Sequence, residues 1–243
     1  AGIGAGMIFL EFSPAVHYAV VALISVVIIL FSQQYVINDK REDAESGGLV
    51  LKKPDQLLLR VGLIAFLGMM AEGCMFDWSG VYFKKIVEAE PAFVSVGYVC
   101  FMGAMASGRF ITDKATNRYG KLPILQLSGV LIFTGLLLAV LLPSIYMAAV
   151  GFLLVGFGVA SIVPVAYGIA GRSKLYSPSV ALALVSTLAF FGFLVGPPLI
   201  GFIAELVNLK VSFALIAFNG IGILLLSSLG KQVFQSQETP VES

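Results

Sequence analysis

Two acidic residues lie in the middle of a long apolar segment, where ionised side chains are rare. Glu72 and Asp77 belong to a segment that begins near Leu57 and ends at Lys84 and Lys85. Glu72 is twelve residues from both Arg60 and Lys84, so a helical rise of about 1.5 Å per residue places it roughly 18 Å from each charge. A carboxylate at such depth in a bilayer costs at least about 2.5–3.5 kcal/mol, and it is expected to face a protein interior or a water-filled cavity. The chemistry that these residues support is binding of a proton or of a polar solute.

A structural interpretation of the same residues stays open. A protonated or hydrogen-bonded carboxyl group can simply link helices, as other polar side chains in membranes do. Trp78 and Tyr82 follow Asp77, where they either contact a solute or anchor the helix at the membrane interface. Tyr167 and Asn219 either line the same cavity or form ordinary interhelical contacts.

A second candidate is the charged stretch between two apolar segments. Basic residues surround one acid and two glycines there: Gly108, Arg109, Asp113, Lys114, Arg118, Gly120 and Lys121. Such a cluster at a helix end can hold neighbouring helices in one state and release them in another, so we predict a cytoplasmic gate. The alternative is a solvated turn that only follows the charge bias of membrane loops.

A third candidate is a segment rich in glycine and proline. It contains Gly192, Gly196, Pro197, Pro198 and Gly201. Glycines four residues apart let another helix approach, and proline removes backbone donors, so this segment is suited to packing and bending.

Other chemistries have little support in the sequence. Cys74 and Cys100 lie inside apolar runs without a CxxC pair, and the single histidine, His17, lies near a predicted helix end. We therefore predict no metal site, disulfide framework or cofactor. The net charge of +1 gives no basic field for nucleic acid.

The elements that position these residues are membrane-spanning helices. Hydrophobic residues make up 58% of the chain and charged residues 12%, whereas soluble domains have roughly 25% charged residues. Seven stretches are long enough to cross a bilayer, and residues 1–10 are interpreted as the end of one more helix. The seven are 14–36, 57–83, 91–108, 122–142, 144–171, 178–204 and 211–230.

Basic residues fall mainly on one side of this arrangement. If the helices alternate in direction, twelve of the 15 Lys and Arg residues share the side of the 37–60 and 109–121 segments. The positive-inside rule predicts that this side is cytoplasmic.

The segments also suggest two bundles. An ungapped alignment of residues 1–32 with residues 196–227 pairs Gly6 with Gly201 and Ala19 with Ala214. Such internal similarity is expected of a duplicated transporter bundle. We predict that 1–36 ends an N-terminal six-helix bundle that is largely missing, that 37–56 is a cytoplasmic linker, that 57–230 is a second six-helix bundle, and that 231–243 is a cytoplasmic tail.

At these motifs the chain resembles the major facilitator superfamily. The stretch from Gly108 to Lys121 is similar to that family's signature loop, here between its eighth and ninth helices, and the Gly192 to Gly201 motif to its Gly-Pro motif. The stretch from Glu72 to Phe83 resembles helix seven of bacterial sugar and fucose permease-like members. The resemblance implies that the chain runs from the end of helix five to helix twelve of a multi-pass transporter in the bacterial inner membrane.

The resemblance implies a function as well. It implies alternating access between two bundles, often driven by a proton gradient, with a small organic solute, protons and the lipid bilayer as partners. Two other classes stay open: a channel or receptor-like protein without coupling, and an intramembrane enzyme. The enzyme is disfavoured because the acids lie on a single helix and one histidine is present. Substrate identity and transport direction are left open.

Overall fold

The computed structural model describes residues 13–33, 55–173 and 175–229. Its first range contains one helix, α1 (Pro14–Ser32), which begins with a proline. Proline is well tolerated there because the first N–H groups of a helix have no intrahelical acceptor. This helix belongs to a unit of residues 1–52, and residues 53–243 form another unit.

Within its described residues, the second unit consists of six long helices. They are α2 (Gln56–Lys85), α3 (Val96–Tyr119), α4 (Lys121–Leu141), α5 (Ile145–Ala170), α6 (Pro178–Leu206) and α7 (Leu209–Leu229). Each of the six is long and apolar enough to cross a membrane. No strand occurs in ranges 13–33, 55–173 and 175–229. The predicted all-α membrane fold is confirmed.

Side-chain caps define where several of these helices begin. The Asp55 carboxylate accepts a hydrogen bond from the Leu58 backbone N–H at 2.8 Å, and Asn208 does the same for Val211 at 2.9 Å. Such caps satisfy backbone donors that the first turn of a helix leaves free.

Five predicted spans agree with α2, α4, α5, α6 and α7 to within two residues at either end. The predicted 14–36 helix ends at Ser32, and residues 34–36 lie outside the described residues. The same holds for 1–10, for most of the predicted linker and for the 231–243 tail. The proposed repeat therefore stays a prediction.

Helix α3 differs from the prediction. We expected a span at 91–108 followed by a turn, whereas the helix begins at Val96 and continues to Tyr119. Arg109 and Asp113 thus lie inside a helix, and the predicted loop was wrong. The turn is confined to Gly120, whose φ of 86° is a left-handed conformation that glycine adopts without a steric penalty.

Helices α2 and α5 are the most buried of the six. Helix α2 packs against α5, α6 and α7, whereas α5 packs mainly against α3 and α4. Large apolar side chains such as Met75, Phe101, Phe152 and Phe213 fill the core between them. This packing positions the acid-bearing helix α2 at the centre of the bundle.

Candidate functional site

Glu72 lies near the middle of α2 with its side chain turned into the bundle. Only 6% of the residue is exposed. Its Oε1 atom lies 3.5 Å from Nη2 of Arg109 on α3. Its Oε2 atom is buried and has no hydrogen-bond partner among the described residues. A buried polar atom without a partner is rare and costly in native structures, so it is a candidate for a functional role.

The ion pair between Glu72 and Arg109 links two sets of candidate residues that the sequence analysis treated as separate sites. We assigned Glu72 to solute or proton binding and Arg109 to the cytoplasmic gate, but the continuous helix α3 places the guanidinium beside Glu72. The Arg109 side chain is 51% exposed, and its Nη2 atom also lies 3.7 Å from the Met105 sulfur. The ion pair therefore has a buried acid and an accessible base.

Asp77 lies on another side of α2, facing α6. It is exposed and makes no hydrogen bond or ion pair with a residue that the structure describes. Its side chain lines a cavity of about 530 Å³ between α2 and α6. The other lining residues are Trp78, Val81, Phe193, Leu194, Pro197 and Pro198. The cavity is thus apolar and aromatic, with one carboxylate.

Trp78 is held in the wall of this cavity. Its indole N–H donates a hydrogen bond to the Pro197 carbonyl at 3.0 Å, and its ring lies over Gly201. Gly192 and Gly196 of the same motif pack directly on α2, against the Phe66 and Met70 carbonyls. The glycine and proline motif therefore brings α6 close to the helix that carries both acids.

Tyr82, which we left as either a solute contact or an interfacial anchor, is not among the residues that line this cavity. It is fully buried, and its hydroxyl donates a hydrogen bond to the Ala139 carbonyl at 2.9 Å. Its ring packs on Phe213 and Phe152, with centroids 4.5 and 5.6 Å away. Tyr82 faces the core because it lies five residues, or about 140° around the helix, from Asp77.

Asn219 and Tyr167 also lie away from the cavity. The Asn219 amide donates a hydrogen bond to the Leu67 carbonyl at 3.3 Å, which connects α7 to α2. Tyr167 is partly buried and packs against the core. Both positions match the structural alternative, in which these residues hold helices together.

The charged cluster is only partly brought together. Lys121 donates a hydrogen bond to the Gly168 carbonyl at 3.0 Å, which connects α4 to the end of α5. The Arg118 guanidinium lies 5.3 Å from the centroid of the Tyr119 ring. Asp113 and Lys114 are exposed and pair with no residue in the described part of the chain. The expected network around Asp113 is not formed in this conformation.

A buried hydroxyl pair was not predicted from the sequence. Ser128 and Ser161 lie 2.7 Å apart and connect α4 to α5. Together with Gly108 and Thr112, they line a second cavity of about 210 Å³. Single serines in apolar helices carry no distinctive signal, so only the three-dimensional packing reveals this pair.

No group of three metal-ligating side chains is found among residues 13–33, 55–173 and 175–229. Cys74 is buried, Cys100 is partly buried, and both are free thiols. The His17 side chain lies outside what the structure describes.

Comparison with known proteins places these features in a family. The model of the Major Facilitator Superfamily matches residues 1–174. An uncharacterised MFS-type transporter of Yersinia pestis is 29% identical over 219 residues, covering 88% of this chain and 56% of the relative. Membrane protein MosC of Rhizobium meliloti is 34% identical over 168 residues, covering 69% of this chain and 41% of the relative. The chain thus spans about half the length of the curated relatives it matches.

A solved transporter structure has a fold similar to that of this chain. The crystal structure of a mutant peptide transporter POT in complex with alafosfalin superimposes with a TM-score of 0.63. It is 15% identical in sequence, and the match covers 73% of this chain and 38% of that one. The similarity at this level of identity concerns the fold alone.

Proposed function

Because the chain belongs to the Major Facilitator Superfamily, a family of membrane transporters, we propose that it is part of a proton-coupled secondary transporter of a small organic solute. The observation that carries this proposal is Glu72, a buried carboxylate with one oxygen beside Arg109 and the other without a partner. The curated relatives reported above include an MFS-type transporter, which favours transport over an enzymatic activity.

The geometry of Glu72 suits a residue that exchanges a proton. While it is ionised, the carboxylate is stabilised by the Arg109 guanidinium at 3.5 Å. When Glu72 takes up a proton, its ionic attraction to Arg109 is lost. The neutral acid also has a smaller unfavourable free energy of burial in the membrane interior than the carboxylate has. The two protonation states therefore favour different contacts between α2 and α3, which can bias a protein with two conformations.

The proposed architecture follows the sequence analysis. Residues 57–230 form one bundle, 37–56 a cytoplasmic linker and 231–243 a cytoplasmic tail, while 1–36 belong to another bundle. Solute passes between the two bundles by alternating access. The proposed cytoplasmic gate is the charged cluster from Gly108 to Lys121; its support is the tight α3–α4 turn at Gly120 and the Lys121 contact with α5.

Proton movement in proteoliposomes tests this function. The full-length protein is reconstituted with the pH-sensitive dye pyranine inside, and a panel of small amines, sugars and carboxylates is added outside. We expect at least one solute to drive proton movement, and Glu72→Gln to lower the rate of that movement at least about tenfold, the loss typical of removing one positioned proton-transfer group. The same variant should still exchange labelled solute across the membrane.

The matched control is Glu205→Gln, which removes an acid at the exposed end of α6 and should leave proton movement intact. Coupled transport that persists in Glu72→Gln would contradict the proposed role of Glu72. If the native protein instead conducts solute with no accompanying proton movement, and the flux does not saturate as the solute concentration rises, a channel is favoured.

A further inference from the structure

The cavity between α2 and α6 has a composition that selects for a particular kind of solute. Its volume is about 530 Å³, within the range of about 300–1,000 Å³ that is common for small-molecule sites. Six of its seven lining residues are apolar, aromatic or proline, and the seventh is Asp77. A solute that fits this lining has an apolar body and at most one charged end.

The charge at that end follows from the surroundings of Asp77. No described basic residue pairs with Asp77, since Arg109 pairs with Glu72. Lys84 is the nearest basic residue along α2; it lies on the same helix face, seven residues and roughly 10.5 Å of helical rise away, and does not pair with Asp77. Helix α6 contributes one ionisable residue, Glu205 near its C-terminal end, which lies seven residues beyond Pro198 and is also acidic. Among the residues that the structure describes, no cation pairs with the Asp77 carboxylate of this cavity.

Acyl chains are an unfavourable neighbour for this charge. Asp77 is exposed on this bundle, yet it lies inside a membrane-spanning helix. A carboxylate in contact with acyl chains is costly, whereas one that faces water or another part of the protein is tolerated. The cavity is thus expected to face water or protein, and its place on the solute path is taken from the proposed transport function, on which this inference rests.

The cavity wall adds two further features that suit an amine. The Trp78 indole is fixed by its hydrogen bond to Pro197, and an indole face attracts cations more strongly than other aromatic rings. Pro197 and Pro198 have no N–H, so the carbonyls of Phe193 and Leu194 lose the donors that an α-helix would supply. Both of these residues line the cavity. The Phe193 carbonyl packs against Gly73 of α2, so the Leu194 carbonyl is the one that an ammonium group could approach.

We infer that this cavity binds solutes in which a primary ammonium group is attached to a compact apolar or aromatic body. The ammonium group pairs with the Asp77 carboxylate, and the apolar body packs on Trp78 and Phe193. Solutes of the same size that carry a carboxylate are excluded because two negative charges would meet.

Tryptophan fluorescence tests this inference without requiring transport. The 243-residue sequence contains one tryptophan, Trp78, so its emission reports directly on the cavity wall. The probes are 3-phenylpropylamine, 3-phenylpropanol and 3-phenylpropanoate, which share a body and differ in charge. They are titrated against the protein in lipid nanodiscs, with any tryptophan outside this sequence replaced by phenylalanine.

The amine should change Trp78 emission with the highest affinity of the three probes. Asp77→Asn should weaken amine binding about tenfold, equivalent to about 1.4 kcal/mol, and leave alcohol binding unchanged. Asp77→Glu, which retains the charge, should recover much of the affinity. Glu205→Gln is the matched control and should bind the amine like the native protein.

Three results would overturn the inference. These are equal affinities for all three probes, unchanged amine binding in Asp77→Asn, and no change in emission with any probe in folded protein. Each of them leaves the proton coupling of Glu72 untouched, because that coupling is measured by dye in proteoliposomes. Conversely, failure of the Glu72→Gln test would not alter amine binding at Asp77.

Discussion

Glu72 and Asp77 lie five residues apart on one helix but in different surroundings. Five residues correspond to about 140° around α2, which turns Glu72 towards α3 and Asp77 towards α6. One carboxylate is buried beside a cation, and the other is exposed in an apolar cavity. The two acids therefore cannot share one site, which is why we assign proton coupling to Glu72 and solute binding to Asp77.

The Glu72–Arg109 pair predicts a specific pattern of stabilities. Arg109→Gln leaves the buried Glu72 carboxylate without its cation and should lower the free energy of unfolding. Breaking buried pairs costs about 3–5 kcal/mol, but Arg109 is half exposed, so we expect about 1–2 kcal/mol, closer to the values for screened pairs. Chemical unfolding in detergent micelles measures the change.

A double variant separates the charge effect from a loss of packing. Arg109→Gln combined with Glu72→Gln removes the cation and the buried charge together, so it should be more stable than Arg109→Gln alone. A double variant that is less stable than either single variant would mean that the ion pair is not the source of the effect.

At the scale of helices, the contact between α2 and α6 depends on two glycines. A Cβ atom at Gly192 would collide with the Phe66 backbone, and one at Gly196 would meet the Met70 carbonyl. Backbone cannot move aside as a flexible side chain can, so the two helices would have to separate. Separation would also displace Trp78 from Pro197 and alter the cavity.

We predict that Gly192→Ala destabilises the bundle by about 1–3 kcal/mol, the usual cost of overpacking. It should also weaken amine binding, because the cavity walls belong to α2 and α6. Gly103→Ala is the matched control: a Cβ atom there meets nothing within 4 Å. It should be neutral or slightly stabilising, since alanine favours helix by up to about 1 kcal/mol. Equal effects of the two substitutions on unfolding would contradict the packing argument.

Helix bounds were predictable where apolar length alone decides them. Helices α2 and α6 agree with the prediction because each is an apolar run bounded by prolines, charges or caps. Helix α3 was predicted too short because Arg109 was taken as the membrane boundary. The structure shows that a charge does not end the helix: α3 continues past Arg109 to Tyr119, and the Arg109 guanidinium lies beside Glu72 of another helix.

The candidate site was predictable in its residue types but not in its pairings. Glu72 and Asp77 stand out because charges are rare in apolar helices, and the structure places Glu72 beside Arg109 and Asp77 in a cavity. Tyr82 and Asn219 were also candidates by residue type, yet their polar groups bond backbone carbonyls of neighbouring helices. Which partner a polar side chain contacts depends on how each helix is rotated about its axis relative to its neighbours. The sequence of a single helix does not determine that rotation.

At the scale of the whole molecule, the bundle exposes two kinds of apolar surface. Leu194 on α6 is 70% exposed and lines the Asp77 cavity, whereas Phe218 on α7 is 58% exposed and packs edge-on against Phe133. Only the first lies beside a charge. Because acyl chains solvate a carboxylate poorly, we expect the α2–α6 face to border the solute path and the α7 face to border lipid.

Cysteine labelling distinguishes these two surfaces. In a background with Cys74→Ala and Cys100→Ala, Leu194→Cys should react with a charged, water-soluble methanethiosulfonate reagent at least about tenfold faster than Phe218→Cys, because charged reagents do not enter acyl chains. Added 3-phenylpropylamine should slow labelling at position 194 and leave position 218 unchanged. Slow labelling at both positions would place the α2–α6 face against lipid or in a closed interface and would contradict the proposed path. Fast labelling at position 194 that the amine does not slow would retain the path but remove the solute from this cavity.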